Sequence, residues 1–188
     1  MEVTLGVSNR HIHLNEEDFK LLFGNKKIEK TKDLVQTNQY ATDLYVDIKT
    51  NKNEIKNVRL VGPIRNYTQV EISKTDAYYL GINPPVRNSG DLDNASVITI
   101  KGPNGIITKP SAIIATRHIH VSPDEIKKRH LEDVQEVNVT FKGEKGMTFH
   151  NVKLKIEDQA IWQLHLDTDD ANSSLLKTGD IGIVEIPK

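Results

Sequence analysis

One pattern occurs twice in this chain of 188 residues, and it limits the architecture more than any other feature. Ser8-Asn9-Arg10-His11-Ile12-His13-Leu14 returns as Ala115-Thr116-Arg117-His118-Ile119-His120-Val121. A helix start follows each copy. Asn15 can cap the first helix, and Gly24 can end it. Ser122 can cap the second, with Pro123 at the first helical position and Glu125 completing a capping box. A second matched pair lies downstream: Gln69-Val70-Glu71-Ile72 parallels Gln163-Leu164-His165-Leu166, and Asp76-Ala77 parallels Asp170-Ala171 at the same offset. Thr75 or Asp76, and Thr168 or Asp169, are the candidate caps there. Self-similarity of this kind points to two related halves.

Most of the rest reads as strand. Residues 1–7, 44–50, 55–61, 96–101, 134–141, 147–156 and 181–186 are rich in β-branched residues, several with period-two alternation. Asn104-Gly105 signals a hairpin turn, and Gly143-Glu144-Lys145-Gly146 another. Only three or four short helices are predicted. The expected fold is therefore mainly β: two β-barrels related by duplication, with short capping helices. Residues 102–112, with two prolines and two glycines, are the clearest candidate link between the halves.

Composition removes several functions. The formal net charge is −1, which gives no electrostatic footprint for nucleic acid. No cysteine is present, so disulfides, thiolate metal sites and a cysteine nucleophile are excluded. No apolar run is long enough to span a bilayer as a helix, and residues 1–7 read as a strand rather than a secretory signal. The expected location is cytoplasmic, with no membrane partner.

Four of the seven histidines sit in the two His-Ile-His motifs. On a strand, residues two apart share a face, so His11 projects with His13 and His118 with His120. Each pair is a rigid chelating unit for a divalent transition metal, and three protein ligands with an open position mark a catalytic zinc site. The downstream repeat nominates the third ligand, Glu71 in one copy and His165 in the other. A single His-x-His on a strand is usually incidental; two matched copies, each with a ligand-capable third residue, favour metal binding. Arg65, just before Gln69 and Glu71, is a candidate for phosphate because a guanidinium offers a planar fork. Lys52 and Arg59 flank an expected hairpin and read from spacing alone as a solvated strand face. Asp169 and Asp170 read either as helix N-terminal acids or as hydrogen-bond partners of the histidines.

An ordered set of stretches resembles the PduL-type phosphate acyltransferases, also called phosphate propanoyltransferases. It comprises Gly6 to Leu14, Asn57 to Arg65, Thr68 to Ala77, Pro85 to Leu92, Ala115 to His120 and His165 to Asn172. The departures are Gln36-Thr37-Asn38-Gln39, Asn88 and Ser111, none of them a ligand position. The resemblance implies two barrels that exchange strands, with residues 11–116 forming one domain and residues 1–10 joining 117–188 in the other. It implies two zinc ions, held by His11, His13 and Glu71 and by His118, His120 and His165. It also implies phosphate at Arg65 and coenzyme A contacts at Val7, Ser8, Asn9, Lys52, Arg59 and Asn172. The implied reaction interconverts acyl-CoA plus phosphate with acyl phosphate plus CoA, the acyl group being acetyl or propionyl, by direct attack of phosphate on the thioester. A homo-oligomer is a further implication. Members destined for microcompartments carry an N-terminal targeting peptide, and a chain starting at its first strand suggests a free enzyme. The residues alone leave two other readings open, a dinuclear zinc hydrolase and a non-enzymatic metal- or nucleotide-binding barrel.

Overall fold

The computed structural model describes residues 1–187. In chain order the elements are β1 (Glu2–Ser8), β2 (His11–His13), α1 (Glu16–Phe23), β3 (Lys30–Asp33), β4 (Tyr40–Lys49), β5 (Glu54–Gly62), β6 (Gln69–Glu71), α2 (Lys74–Leu80), β7 (Val86–Arg87), β8 (Ser96–Lys101) and β9 (Ile106–Ala115). They continue with β10 (His118–Val121), α3 (Pro123–Lys128), β11 (Glu136–Phe141), β12 (Met147–Ile156), β13 (Gln163–Asp167), α4 (Thr168–Ser173) and β14 (Ile181–Glu185).

The strands close two six-membered rings. One runs β4-β5-β2-β6-β9-β8 and returns to β4, because β8 pairs with both β9 and β4. The other runs β1-β13-β10-β12-β11-β14 and returns to β1. Taking β2 as the counterpart of β10, every pairing has the same sense in both rings. β2 is parallel to β5 and antiparallel to β6, as β10 is to β12 and β13. β9 lies parallel to β6 as β1 lies parallel to β13. The duplication in sequence is therefore a duplication of topology. Each copy also gives away its first strand: β1 precedes β2 but joins the ring of β10, and β9 precedes β10 but joins the ring of β2. The compact units are Asn9–Ala115, and Met1–Ser8 with the chain from Thr116 onward.

The stretch expected to link the halves is a strand instead. Residues 106–115 form β9, and the passage between units falls at Ala115 and Thr116. Pro110 is tolerated there because the β8–β9 register shifts between Ser96 and Val97, and Val97 is the residue opposite the proline. Gly102–Gly105 is the loop of the β8–β9 hairpin. Each ring has its own apolar interior. In one, Ile12, Leu60, Val70 and Ala112 are almost wholly buried; in the other, Leu5, Ile119, Val152 and Leu164 are.

The helices are short and held by their caps. Asn15 caps α1 by accepting from the Asp18 N–H, and Gly24 ends it with φ 65°. The caps of α2 and α4 are Ser73 and Asp167, one to three residues earlier than the sequence signals suggested. Both sit directly where a strand turns into the helix, so their backbone is still extended (ψ 168° and 178°), as a cap requires. Ser122 caps α3, but the Glu125 carboxylate turns to Lys128 and Arg129 rather than back to the cap.

Candidate metal centres on the outer barrel faces

Ile12 and Ile119 point into their barrels, so the flanking histidines project from the opposite face. In the first unit this face collects His11 and His13 from β2 and Glu71 from β6, with His11 in register with Glu71 and with Arg59. One ligand-capable atom from each of His11, His13 and Glu71 falls within 4.8 Å of the others. In the second unit His118 pairs with His165 across β10 and β13, and His118, His120 and His165 form the same kind of group.

The hydrogen bonds fix how the rings present themselves. His11 Nδ1 lies 2.9 Å from Asn9 O, His13 Nδ1 3.1 Å from Val61 O and His118 Nδ1 2.8 Å from Thr116 O. His120 Nδ1 lies 2.7 Å from Glu157 Oε2. All four acceptors are carbonyl or carboxylate oxygens, so each Nδ1 carries the proton. In a neutral imidazole Nε2 is then a lone pair. The Nε2 atoms of His118 and His120 lie 3.1 Å apart, an arrangement of facing lone pairs that a cation between them would relieve. Burial, then the neighbouring His11, hold the His13 imidazolium pKa down at about 3, so this ring is neutral at working pH. The Glu157 carboxyl is held down at about 2, chiefly by its hydrogen bond to His120.

The third member of each group is held by the glutamine two residues before it. Gln69 Nε2 lies 2.6 Å from Glu71 Oε1, and Gln163 Oε1 lies 3.0 Å from His165 Nε2. Both glutamines are buried. Gln69 is itself fixed by Ser89 and by the Gly90 N–H. Strand β1 passes close over the second pair: a Cβ on Gly6 would lie 3.1 Å from both Gln163 Cδ and His165 Cδ2. Gly6→Ala should displace His165, cost about 1–3 kcal/mol of stability and weaken metal uptake by the second group. Thermal melting with and without added zinc reads both effects.

Arginines buttress each His-x-His strand. Arg10 makes a two-point contact with Asp76 in α2 at 2.9 and 2.8 Å, and Arg117 makes the same contact with Asp170 in α4 at 2.7 Å twice. Asp170 thus partners an arginine, not a histidine. Both arginine pKa values are raised, first by these bonds.

Arg65 hydrogen-bonds through its backbone to Leu14 O, directly after His13, and its positive charge contributes to the lowered His13 pKa. Its Nε is buried and has no hydrogen-bond partner among the described residues.

A model of the phosphate propanoyltransferase family matches residues 4–177. The chain belongs to this family of phosphate acyltransferases. A phosphate propanoyltransferase from Thermotoga maritima is 44% identical over 182 residues, covering 95% of this chain and 87% of the relative. One from Rhodopseudomonas palustris is 40% identical over 182 residues, covering 96% and 80%. One from Priestia megaterium is 42% identical over 186 residues, covering 98% and 86%. Among the described residues no helix is long and apolar enough to cross a membrane.

The coenzyme A candidates that this family resemblance brought forward do not form one cluster within either unit. Val7, Ser8 and Asn172 belong to the second unit, where Ser8 lies in register with Asp167, the cap of α4. The Val7 side chain packs on the core, and its N–H donates to Thr178 Oγ1. Asn9, Lys52 and Arg59 belong to the first unit. Arg59 lies beside His11, stacked over Tyr45 and donating to Thr42 O. Lys52 sits by Tyr78 in the turn before β5, whereas Arg59 lies in the second half of that strand.

Proposed function

We propose that this chain transfers an acyl group, acetyl or propionyl, between coenzyme A and inorganic phosphate, with a zinc ion held by each histidine group. The observation that carries the reading is Arg65, a guanidinium whose buried Nε has no partner among the described residues and which lies beside the His11/His13/Glu71 group. A buried donor without an acceptor is rare and costly, and an oxyanion would supply the missing partner.

The donor sets fit zinc. Imidazole nitrogens with a carboxylate in one group, and three imidazoles in the other, are its ordinary ligands, and three from the protein leave a position open. The 3.1 Å between the His118 and His120 Nε2 atoms is close to the edge of a tetrahedral zinc–nitrogen site, about 3.3–3.4 Å. When bound, zinc supplies Lewis acidity, which stabilises a thiolate and polarises an oxygen.

The residues of the chain do the rest. Arg65 binds phosphate and orients one oxygen toward the thioester carbonyl. Asn9, Lys52 and Arg59 in the first unit, and Val7, Ser8 and Asn172 in the second, are each candidate contacts for coenzyme A. A bond forms between the phosphate oxygen and the carbonyl carbon, the carbon–sulfur bond breaks, and coenzyme A leaves as the thiolate. No side chain is acylated, in keeping with a chain that has no cysteine. Orienting two anionic reactants is the main demand, and alignment can contribute about 7–11 kcal/mol to such a step.

Thiol release from acetyl-CoA or propionyl-CoA should therefore require phosphate, and hydroxylamine should trap an equal amount of acyl phosphate. Equal thiol release without phosphate would make the protein a hydrolase instead.

A further inference from the structure

The two copies of the repeat diverge chemically just beyond the His-Ile-His strand. The backbone N–H of Arg65 donates to Leu14 O at 2.9 Å, and that of Glu157 donates to Val121 O at 3.1 Å. Leu14 and Val121 are the same position of the repeat, directly after His13 and His120. Arg65 and Glu157 therefore occupy one structural position and carry opposite charges. The first copy reaches it with two more residues: Arg65 is six residues past Arg59, the partner of His11, whereas Glu157 is four past Lys153, the partner of His118.

The side chains act on the histidines differently. His13 Nδ1 faces the Val61 carbonyl at 3.1 Å, but His120 Nδ1 faces the Glu157 carboxylate at 2.7 Å. The other carboxylate oxygen lies 3.0 Å from Lys155 Nζ, which fixes its orientation. His120 is 2% exposed, so little solvent competes with this contact. A carboxylate partner holds the Nδ1–H tautomer more firmly than a carbonyl and makes the opposite nitrogen a stronger donor.

We infer that Glu157 is a positioning residue for the His118/His120/His165 group, locking His120 with Nε2 turned inward and strengthening metal binding at that group alone. The inference rests on the reading of these histidines as metal ligands. It assigns the negative charge of each group differently: one holds its carboxylate, Glu71, among the ligands, and the other holds Glu157 behind a ligand.

Zinc competition against a chromophoric chelator tests it, using the full chain as wild type, Glu157→Gln and Glu157→Ala. The wild type should take up two equivalents. Glu157→Gln should keep both sites with one weakened about 10–100-fold, and Glu157→Ala should weaken the same site at least as much. The melting temperature of metal-free Glu157→Gln should move little, because the amide oxygen still accepts from His120 Nδ1, whereas Glu157→Ala leaves that buried N–H without its acceptor and should melt lower. Cobalt substitution should show the visible bands of one site shifting in the variants while those of the other stay put. Wild-type protein that takes up no zinc would remove the metal reading and this inference with it. Two sites of wild-type affinity in both variants would overturn the role of Glu157 while leaving the metal reading intact. Equal weakening of both sites, or a large fall in the metal-free melting temperature of Glu157→Gln, would reduce Glu157 to a structural residue.

Discussion

Arg65→Ala should lower kcat/KM for phosphate by about 10²–10³-fold, the usual cost of removing one preorganised donor from a developing oxyanion. The backbone of Arg65 is fixed by its hydrogen bond to Leu14 O and by a bridge to Asn15, so the side chain starts from a set point. Its Nε is already desolvated and has no partner among the described residues. The cost of burying that donor is thus incurred in folding, and an arriving phosphate recovers it. Arg65→Lys should retain only part of the function, since an ammonium keeps the charge but not the planar fork. Coenzyme A affinity, read by product inhibition, should change only a few-fold in either variant. Unchanged phosphate kinetics in Arg65→Ala would remove the assigned role.

Much of this geometry was legible because short-range rules carry it. Period two alone puts His11 and His13 on one face once Ile12 is inside, and the repeat then points to Glu71 and His165 as the residues opposite. The two-barrel fold followed from strand density and duplication. What the sequence concealed depends on distant pairing or on unequal spacing. β9 looked like a linker because prolines and glycines are read locally, whereas its pairing with β6, β7 and β8 is what makes it a strand. The correspondence of Arg65 with Glu157 was hidden by the two extra residues in the first copy, which break any ungapped comparison. A signal for the arginine buttresses was present: Arg10 with Asp76 and Arg117 with Asp170 are opposite charges repeated at matched positions. Ser73 and Asp167 were missed as caps because each follows a strand closely enough to look like its end.

Stripping the protein with a strong chelator should abolish turnover, and two equivalents of zinc per chain should restore it. The metal-free folded state carries costs that the ion offsets. His118 and His120 turn lone pairs toward each other at 3.1 Å, and His13 and Glu71 are buried or nearly so with His11 between them. Binding only to the folded state stabilises it by RT ln(1 + [L]/Kd), about 2.7 kcal/mol at a hundred-fold excess over Kd. The zinc-loaded protein should therefore melt several degrees above the stripped one. Acid should also destabilise the stripped protein by a predictable route. Unfolded, His13 takes a proton near pH 6.5; folded, it resists until about pH 3 because burial disfavours the imidazolium. Between those values the unfolded chain binds more protons, so stability of the stripped protein should fall steadily as pH drops through that window. Urea midpoints at pH 7.5, 6 and 5 measure the slope, and His13→Gln should flatten it. Stripped protein with full activity would contradict the metal role, and a stripped form whose urea midpoint ignores pH over this range would contradict the buried, neutral state of His13.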